Sequence, residues 1–263
     1  MTRVLLVGAG NMGGSLLEGW LDRGFEARDI VVVDPGRQKP TPCQLVDGAD
    51  AVPEAFAPDV VVFAVKPQIM DKVAPGYARY AGKAVFLSIA AGKTLAYFQA
   101  RLGLNAALVR AIPNTPAAVR HGITVAVTNP IVDAVHKALC NELLSAVGEV
   151  AWVEDEALID TATAVSGGGP AYVFLLVETL AQAGVAAGLP SDLADQLARV
   201  TVSGSGELLA RSKEDPAQLR KNVTSPQGTT AAALNVLMGE DGFGPLLTRA
   251  VAAAQRRSRE LAD

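Results

Sequence analysis

The chain opens, after two residues, with Arg3-Val4-Leu5-Leu6-Val7-Gly8-Ala9-Gly10-Asn11-Met12-Gly13, a short apolar run followed by closely spaced glycines. The apolar run is typical of a buried parallel strand, and the amphipathic residues 15–23 that follow are typical of a helix. Glycines spaced GxGxxG between a strand and a helix indicate a dinucleotide-binding site. Gly8 permits the tight turn, Gly10 lets a pyrophosphate approach the backbone, and Gly13 allows close helix–strand packing. The alternative is that the glycines serve only a tight turn. We expect a Rossmann-type domain whose cofactor-binding residues include Gly8, Ala9, Gly10, Asn11, Met12 and Gly13.

Further apolar runs predict strands at Ile30–Val33, 60–64, 84–88 and 107–111, and then at 123–127 and 148–153 on either side of a helix over 132–146. Three of the strands end in loops rich in Pro, Gly, Asn or Lys. In open parallel sheets, ligands bind in the crevice at the carboxyl edge. Each loop alone could be an ordinary strand-to-helix turn, but their shared position favours one cofactor groove. The residues expected to line it are Val65, Lys66, Pro67, Ala91, Gly92 and Asn114.

The second strand ends in Asp34, and this position affects the choice between NAD and NADP. An acidic residue here accepts a hydrogen bond from the ribose 2′-hydroxyl and favours NAD, whereas a nearby arginine favours NADP. The sequence supplies both signals, because Arg37 and Lys39 follow Asp34 closely. We therefore expect Asp34 and Arg37 to bind the cofactor, NADP(H) with NAD(H) as the alternative.

Composition argues against several other classes of protein. The 263 residues are 50% hydrophobic with a net charge of −4, and no run of Lys or Arg forms a nucleic-acid footprint. The N terminus lacks the organisation of a signal peptide, and two cysteines without a CxxC pair argue against a disulfide framework. We expect a cytoplasmic enzyme without a metal site, a nucleic-acid partner or a membrane span.

The second half of the chain changes to helices only, so we place the domain boundary between residues 153 and 154. We expect helices over 154–164, 171–188, 191–212, Pro216–Asn222, 231–238 and 243–261, with Ser166-Gly167-Gly168-Gly169-Pro170 breaking the first of them. The apolar stripe over 172–187 is wide for a domain of this size, and such helices are usually buried against partners. The fold class is thus α/β plus all-α: residues 1–153 bind NAD(P), and residues 154–263 bind substrate and form a homodimer.

A loop of small residues, Asn222-Val223-Thr224-Ser225-Pro226-Gln227-Gly228-Thr229-Thr230, precedes the helix expected over 231–238. The first turn of a helix has free backbone amides and a partial positive charge, which suits an anion. Ser and Thr are also favoured as ordinary helix caps. The loop therefore predicts a cap, an anion site, or both.

This loop, with Leu219-Arg220-Lys221 before it, resembles the signature of the pyrroline-5-carboxylate reductase family. So do Gly8–Gly13, Ala64-Val65-Lys66-Pro67, Pro113-Asn114-Thr115-Pro116 and Ser166–Tyr172, in order along the chain. Two departures are Gln227, where the family usually has glycine, and the short, divergent region 34–53. The resemblance implies reduction of L-1-pyrroline-5-carboxylate to L-proline with NADPH or NADH. It also implies a swapped helical dimer that assembles further into decamers.

The resemblance also implies roles for individual residues. Thr230 is the candidate catalytic residue, whose hydroxyl would bond the ring nitrogen of the substrate. The substrate carboxylate would lie on the amides of Gly228, Thr229 and Thr230. Glu156, Asn222 and Ser225 would also lie near the substrate, although Glu156 could equally be a plain helix-start acid.

Two alternatives stay open at this point. A related imine or 3-hydroxyacid NAD(P)-dependent oxidoreductase shares this domain pair, but the hydroxyacid enzyme needs a catalytic lysine near the nicotinamide. The helical half offers only Lys213 and Lys221. A non-catalytic NAD(P)-sensing dimer would keep the glycine fingerprint but has no reason to keep Thr230 and Asn222 together.

Overall fold

The computed structural model describes residues 2–262, which form two compact units. The first unit runs to Gly167 and takes in the residues from Gln255 onward; the second is Gly168–Ala254. The first unit therefore extends past the boundary expected after residue 153. The reason is a short helix after the last strand, whose Ile159 is fully buried in a cluster with sheet residues Ile112, Val125 and Val127.

The first unit is built on a sheet of eight strands in the order β3-β2-β1-β4-β5-β6-β7-β8. Neighbouring strands are parallel except for β6 and β7, which are antiparallel. The strands are β1 Val4–Val7, β2 Ile30–Val33, β3 Gln44–Val46, β4 Val60–Phe63, β5 Val85–Ser88, β6 Ala107–Ile112, β7 Gly122–Thr128 and β8 Gly148–Trp152.

The helices follow the expected alternation with strands and then continue alone. They are α1 Asn11–Asp22, α2 Met70–Val73, α3 Leu95–Leu102, α4 Ala134–Ser145, α5 Leu158–Ala162, α6 Gly169–Ala186, α7 Ser191–Arg211, α8 Pro216–Asn222, α9 Thr229–Leu237 and α10 Phe243–Ala262. Short 3-10 turns link several of these elements, among them Pro67–Ile69 and Thr115–Val119.

Both faces of the sheet are covered, which explains why its central strands read as continuous apolar runs. Val4 and Leu6 of β1 belong to one buried cluster, with Trp20 of α1. Leu5 and Val7 belong to the cluster on the opposite face. Alternate side chains of β1 are thus buried in two separate clusters, one on each face of the sheet. This burial holds the strand, and with it the carboxyl end of the strand, in place.

Two features differ from expectation. β3 lies in a polar stretch where no strand was predicted, and Gln44 and Leu45 on it are exposed. The glycine-rich stretch after α5 was expected to break the helix, but residues Thr163–Gly167 form a π-helical turn and only Gly168 is bent. The hydroxyls of Thr163 and Ser166 bond the carbonyls of Ile159 and Ala162, which supports that turn.

Candidate active site

The glycine fingerprint lies between β1 and α1, and each glycine has its own physical reason. Gly8 has φ +91°, and a Cβ there would lie 2.7 Å from Val65 Cγ1 and 2.9 Å from the Ala64 carbonyl carbon. A Cβ at Gly13 would lie 2.3 Å from the Gly8 oxygen. A Cβ at Gly10, by contrast, would meet no atom of the described chain within 4 Å. Gly8 and Gly13 are thus needed for packing, while Gly10 keeps open a space beside the backbone.

Gly10 is also the N-cap residue of α1, and it has no side chain with which to cap the first turn. Asn11 and Met12, the first two residues of α1, line the same open space as Gly10. A helix N terminus without a capping side chain suits a phosphate group. This arrangement fits the pyrophosphate of a dinucleotide.

A cleft of about 750 Å³ opens at this point. It brings together six of the predicted cofactor residues with eight further residues, among them Lys39, which the sequence had already indicated as a signal for NADP. The six are Ala9, Gly10, Asn11, Met12, Asp34 and Arg37; the others are Gly14, Ser15, Glu18, Gly36, Gln38, Lys39, Thr115 and Ala118. Ser15 and Glu18 lie one and two turns into α1 beyond Asn11, so helical periodicity was the signal that could have found them.

Asp34 and Arg37 hold the fingerprint from the end of β2. Asp34 Oδ2 accepts a hydrogen bond from the Ala9 amide at 2.8 Å, and Asp34 Oδ1 accepts one from the Gly36 amide at 3.0 Å. Arg37 Nη1 donates to the Ala9 carbonyl at 2.7 Å. Within residues 2–262, the buried Nε of Arg37 has no hydrogen-bond partner. Both carboxylate oxygens of Asp34 thus already accept hydrogen bonds from backbone amides. Arg37, by contrast, keeps a buried Nε that has no such bond within residues 2–262.

The remaining predicted cofactor residues lie outside the cleft lining. Val65, Lys66 and Pro67 follow β4, and Gly92, with φ +71°, follows β5. Asn114 follows β6, but its side chain is only 9% exposed and its Oδ1 accepts a bond from the Ile123 amide at 2.9 Å. Its neighbour Thr115 lines the cleft instead. These loops share the carboxyl edge of the parallel strands, and their contact with cofactor stays a prediction.

Glu156, predicted to lie near the substrate, has partners inside the first unit. Its Oε1 accepts hydrogen bonds from Arg110 Nη1 and from the Leu95 amide, both at 2.8 Å. Arg110 is a buried residue of β6, only 2% exposed. These bonds give Glu156 a role within its own unit, and a direct contact with substrate stays a prediction.

In the second unit, the predicted substrate loop joins α8 to α9. α9 begins at Thr229, two residues earlier than expected, so Thr229 and Thr230 form its first turn with Gly228 as N-cap residue. The Gly228 amide donates to the Ser225 carbonyl at 3.1 Å, so it closes a turn and is no longer free for a carboxylate as expected. The hydroxyl-bearing Thr229 and Thr230 are exposed at the helix start.

Asn222 is held on two sides by neighbouring side chains. Its Oδ1 accepts from Gln218 Nε2 at 2.7 Å, and its Nδ2 donates to Glu214 Oε2 at 2.8 Å. Gln227 has φ +58°, the left-handed conformation that glycine adopts without strain. This conformation explains why a glycine would suit the position.

Comparison with known proteins accounts for the whole chain. A family model described as "Pyrroline-5-carboxylate reductase dimerisation" matches residues 156–261, and one described as "NADP oxidoreductase coenzyme F420-dependent" matches residues 3–92. The pyrroline-5-carboxylate reductase of Pseudomonas aeruginosa is 41% identical over 99% of this chain and 97% of its own length. The chain belongs to the pyrroline-5-carboxylate reductase family. It is therefore an oxidoreductase of proline biosynthesis, and the predicted Rossmann-type and helical halves are confirmed.

Solved structures of family members agree with the fold. A pyrroline-5-carboxylate reductase from Coxiella burnetii superposes with a TM-score of 0.92 at 32% identity, covering 100% of this chain and 99% of that one. A pyrroline carboxylate reductase from Plasmodium falciparum, solved with NADP bound, gives a TM-score of 0.84 at 29% identity, covering 100% and 98% of the two chains. The family binds a nicotinamide dinucleotide, and the cleft at the fingerprint is the place in this chain that fits one.

The second unit exposes an apolar surface that suits oligomerisation. On α6, Phe174 is 66% exposed and Leu175 is 56% exposed. The helical stretch Leu158–Ala186 is also long and apolar enough to cross a membrane, and only 11% of its apolar window is buried. A subunit interface explains the same exposed surface, since large apolar patches mark interaction sites. The family's dimerisation region covers this surface, which supports oligomerisation.

Proposed function

We propose that this enzyme reduces L-1-pyrroline-5-carboxylate to L-proline, with the loop before α9 as the substrate site. The observation that carries the proposal is the start of α9, where Thr229 and Thr230 occupy a first turn that no charged side chain caps. The substrate carries a carboxylate beside a cyclic imine. A helix N terminus binds the carboxylate through backbone amides, and a hydroxyl beside it reaches the imine nitrogen.

Each residue of the loop has a distinct part in this proposal. The amides of Thr229 and Thr230 bind the carboxylate, with the Ser225 hydroxyl and the turn closed by Gly228 beside them. The Thr230 hydroxyl hydrogen-bonds the ring nitrogen; since threonine is a poor acid, it orients an already protonated iminium or relays a proton. Asn222, fixed by Gln218 and Glu214, contacts the substrate or the nicotinamide. Correct orientation of the two reactants supplies several kcal/mol of the barrier reduction, on the order of what positioning achieves elsewhere.

The dinucleotide is bound in the first unit by the fingerprint cleft, with Gly10 against the pyrophosphate. When bound, it supplies the hydride for the imine carbon. The loops with Val65, Lys66, Pro67, Ala91, Gly92 and Asn114 continue the groove toward the nicotinamide.

For the cofactor's adenosine end, NADP(H) is preferred over NAD(H). Both oxygens of Asp34 already accept backbone hydrogen bonds, which leaves the carboxylate less available to a ribose hydroxyl. Among residues 2–262 the buried Nε of Arg37 has no hydrogen-bond partner, and Lys39 is exposed at the cleft in an ion pair with Glu18. Two cations at this position suit a 2′-phosphate.

The assembly proposed is a homodimer through the 154–263 half, built further into decamers as the family resemblance implies. Exposed apolar side chains on α6 support the dimer. The enzyme works in the cytoplasm on a small substrate, and neither nucleic acid nor a membrane is part of this proposal. Sedimentation velocity at several protein concentrations distinguishes a dimer from a decamer.

The decisive experiment measures oxidation of NADPH and of NADH with pyrroline-5-carboxylate, in the wild type and in Thr230→Val. Losing one hydrogen bond to a charged group, about 1.5–3 kcal/mol, lowers kcat roughly 10- to 100-fold. Binding of NADPH, followed by its fluorescence, stays intact. Thr248→Val is the matched control, because that hydroxyl donates to the Gly244 carbonyl of its own helix at 2.9 Å.

Three results would count against the proposal. If Thr230→Val turns over as fast as the wild type, the Thr230 hydroxyl does not have the proposed role. A wild type that binds NADPH but oxidises neither cofactor supports the sensing alternative instead. A higher kcat/KM with NADH than with NADPH overturns the cofactor preference.

A further inference from the structure

A buried charge cluster lies on the sheet face next to α5, apart from the cleft. Arg110 on β6 is 2% exposed, and its Nη1 lies 2.8 Å from Glu156 Oε1. Its Nη2 lies 3.9 Å from Asp160 Oδ1, and within residues 2–262 its Nε has no hydrogen-bond partner. A buried arginine is costly unless it is paired, so such a cluster needs a reason to be there.

One carboxylate oxygen of the cluster reaches the start of a helix. Glu156 Oε1, which accepts from Arg110, also accepts from the Leu95 amide at 2.8 Å. Leu95 is the first residue of α3, and residues 89–94 before it form the loop after β5. The negative charge also suits the positive end of the helix dipole. Arg110 therefore fixes Glu156, and Glu156 fixes one end of the β5–α3 loop.

The other side of the same loop is held by the end of α10. Asp160 Oδ1 accepts a bond from the Ser258 hydroxyl at 2.7 Å. Three residues further along α10, the Leu261 carbonyl packs against Gly92, where an added Cβ would lie 2.9 Å from that oxygen. Ser258 and Leu261 thus connect the cluster to the middle of the loop.

We propose that Arg110 and Glu156 are positioning residues for the dinucleotide: they fix the β5–α3 loop, which carries Ala91 and Gly92. The inference rests on the proposed place of those two residues in the cofactor groove. Neither Arg110 nor Glu156 contacts the reacting atoms in this role. Glu156 acts through the Leu95 amide, and Arg110 acts through Glu156.

The test compares Glu156→Ala with Glu156→Gln. The glutamine keeps an oxygen that accepts from Leu95 and Arg110, whereas alanine removes it. In Glu156→Ala, hydrogen exchange at residues 89–95 accelerates about tenfold or more, and the Kd for NADPH rises by a similar factor, as loss of a charge-assisted hydrogen bond requires. Glu156→Gln gives intermediate values. Glu154→Ala, which removes an exposed acid two residues away, behaves as wild type.

Ser258→Ala is the second variant, milder and usable if Glu156→Ala does not fold. It also accelerates exchange at 89–95, to a smaller extent. Wild-type exchange in these residues, in both variants, overturns the proposal. Faster exchange with an unchanged Kd for NADPH also overturns it, because the loop is then ordered by the cluster but does not bind the cofactor. Failure of the proposed function looks different: the wild type itself then fails to bind NADPH or to turn over.

Discussion

Replacing Gly10 with alanine adds one methyl group where the proposed pyrophosphate approaches the backbone. No atom of the described chain lies within 4 Å of the added Cβ, and the backbone at Gly10, with φ −67° and ψ −155°, is extended. The free protein therefore accommodates the change. Alanine also restricts the unfolded chain, which raises the free energy of unfolding by about 0.4–1 kcal/mol.

In the complex of Gly10→Ala with NADPH, by contrast, the pyrophosphate has less space beside the backbone. The methyl group occupies the space through which a phosphate oxygen reaches the amides at the start of α1. Losing one charge-assisted hydrogen bond costs about 1.5–3 kcal/mol, which corresponds to roughly a 10- to 100-fold rise in Kd for NADPH. Gly13→Ala has the opposite effect on stability, because it lowers the free energy of unfolding. Its Cβ would lie 2.3 Å from the Gly8 oxygen, so α1 has to shift, and overpacking of this kind costs about 1–3 kcal/mol of folding stability.

Two measurements on each variant separate these effects: fluorescence titration with NADPH and urea unfolding without cofactor. Gly48→Ala serves as the control, because its Cβ also meets open space and Gly48 does not line the cleft. Gly10→Ala that binds NADPH as tightly as wild type would refute the role of Gly10. Gly13→Ala with undiminished stability would refute the packing argument.

Further predictions concern the loop, the thiols and the pH dependence. Gln227→Gly relieves a left-handed residue and raises the free energy of unfolding by about 0.5–1 kcal/mol; a lower urea midpoint would contradict this. Burial raises the pKa of the Cys140 thiol to about 12 and also raises that of Cys43, so thiol reagents label both only after unfolding, and rapid labelling of native protein would contradict their burial. Burial, and then a hydrogen bond to Asp71, raise the pKa of Tyr97 to about 12 from 10.0. The stabilising contribution of neutral Tyr97 is therefore complete below pH 10 and lost as the pH rises through about 12. Urea unfolding of Tyr97→Phe across that interval should show a flatter decline than wild type, and identical curves would contradict the assignment.

The sequence predicted the strands well wherever both faces of the sheet are covered. β2 at Ile30–Val33 matches its predicted bounds, because a run of β-branched residues buried on both sides has one interpretation. β3 was missed since Gln44 and Leu45 are exposed on an edge strand, which leaves no apolar run to detect. The π-helical turn at Thr163–Gly167 was missed for another reason: the glycines predicted a break, whereas the hydroxyls of Thr163 and Ser166 bond carbonyls four residues earlier and support one more turn.

For the candidate site, local motifs were predictable and long-range partners were not. Gly10 and Asp34 were found because a spacing rule links them to one cofactor. Thr115 lines the cleft because the turn after β6 packs beside α1. No local sequence pattern predicts that contact. The ion pair of Glu156 with Arg110 could not be predicted either, since Arg110 lies 46 residues earlier in the chain, on β6.

The two outermost strands of the sheet bear on how subunits associate. β3 has three residues and β8 carries Glu149 on an exposed position, whereas the central strands between them are buried apolar runs. An edge that is short or charged is a poor template for adding another strand. Both edges of this sheet are therefore poor sites for pairing with a strand of another subunit. A nucleotide-binding unit with such edges resists the edge-to-edge stacking by which sheets aggregate.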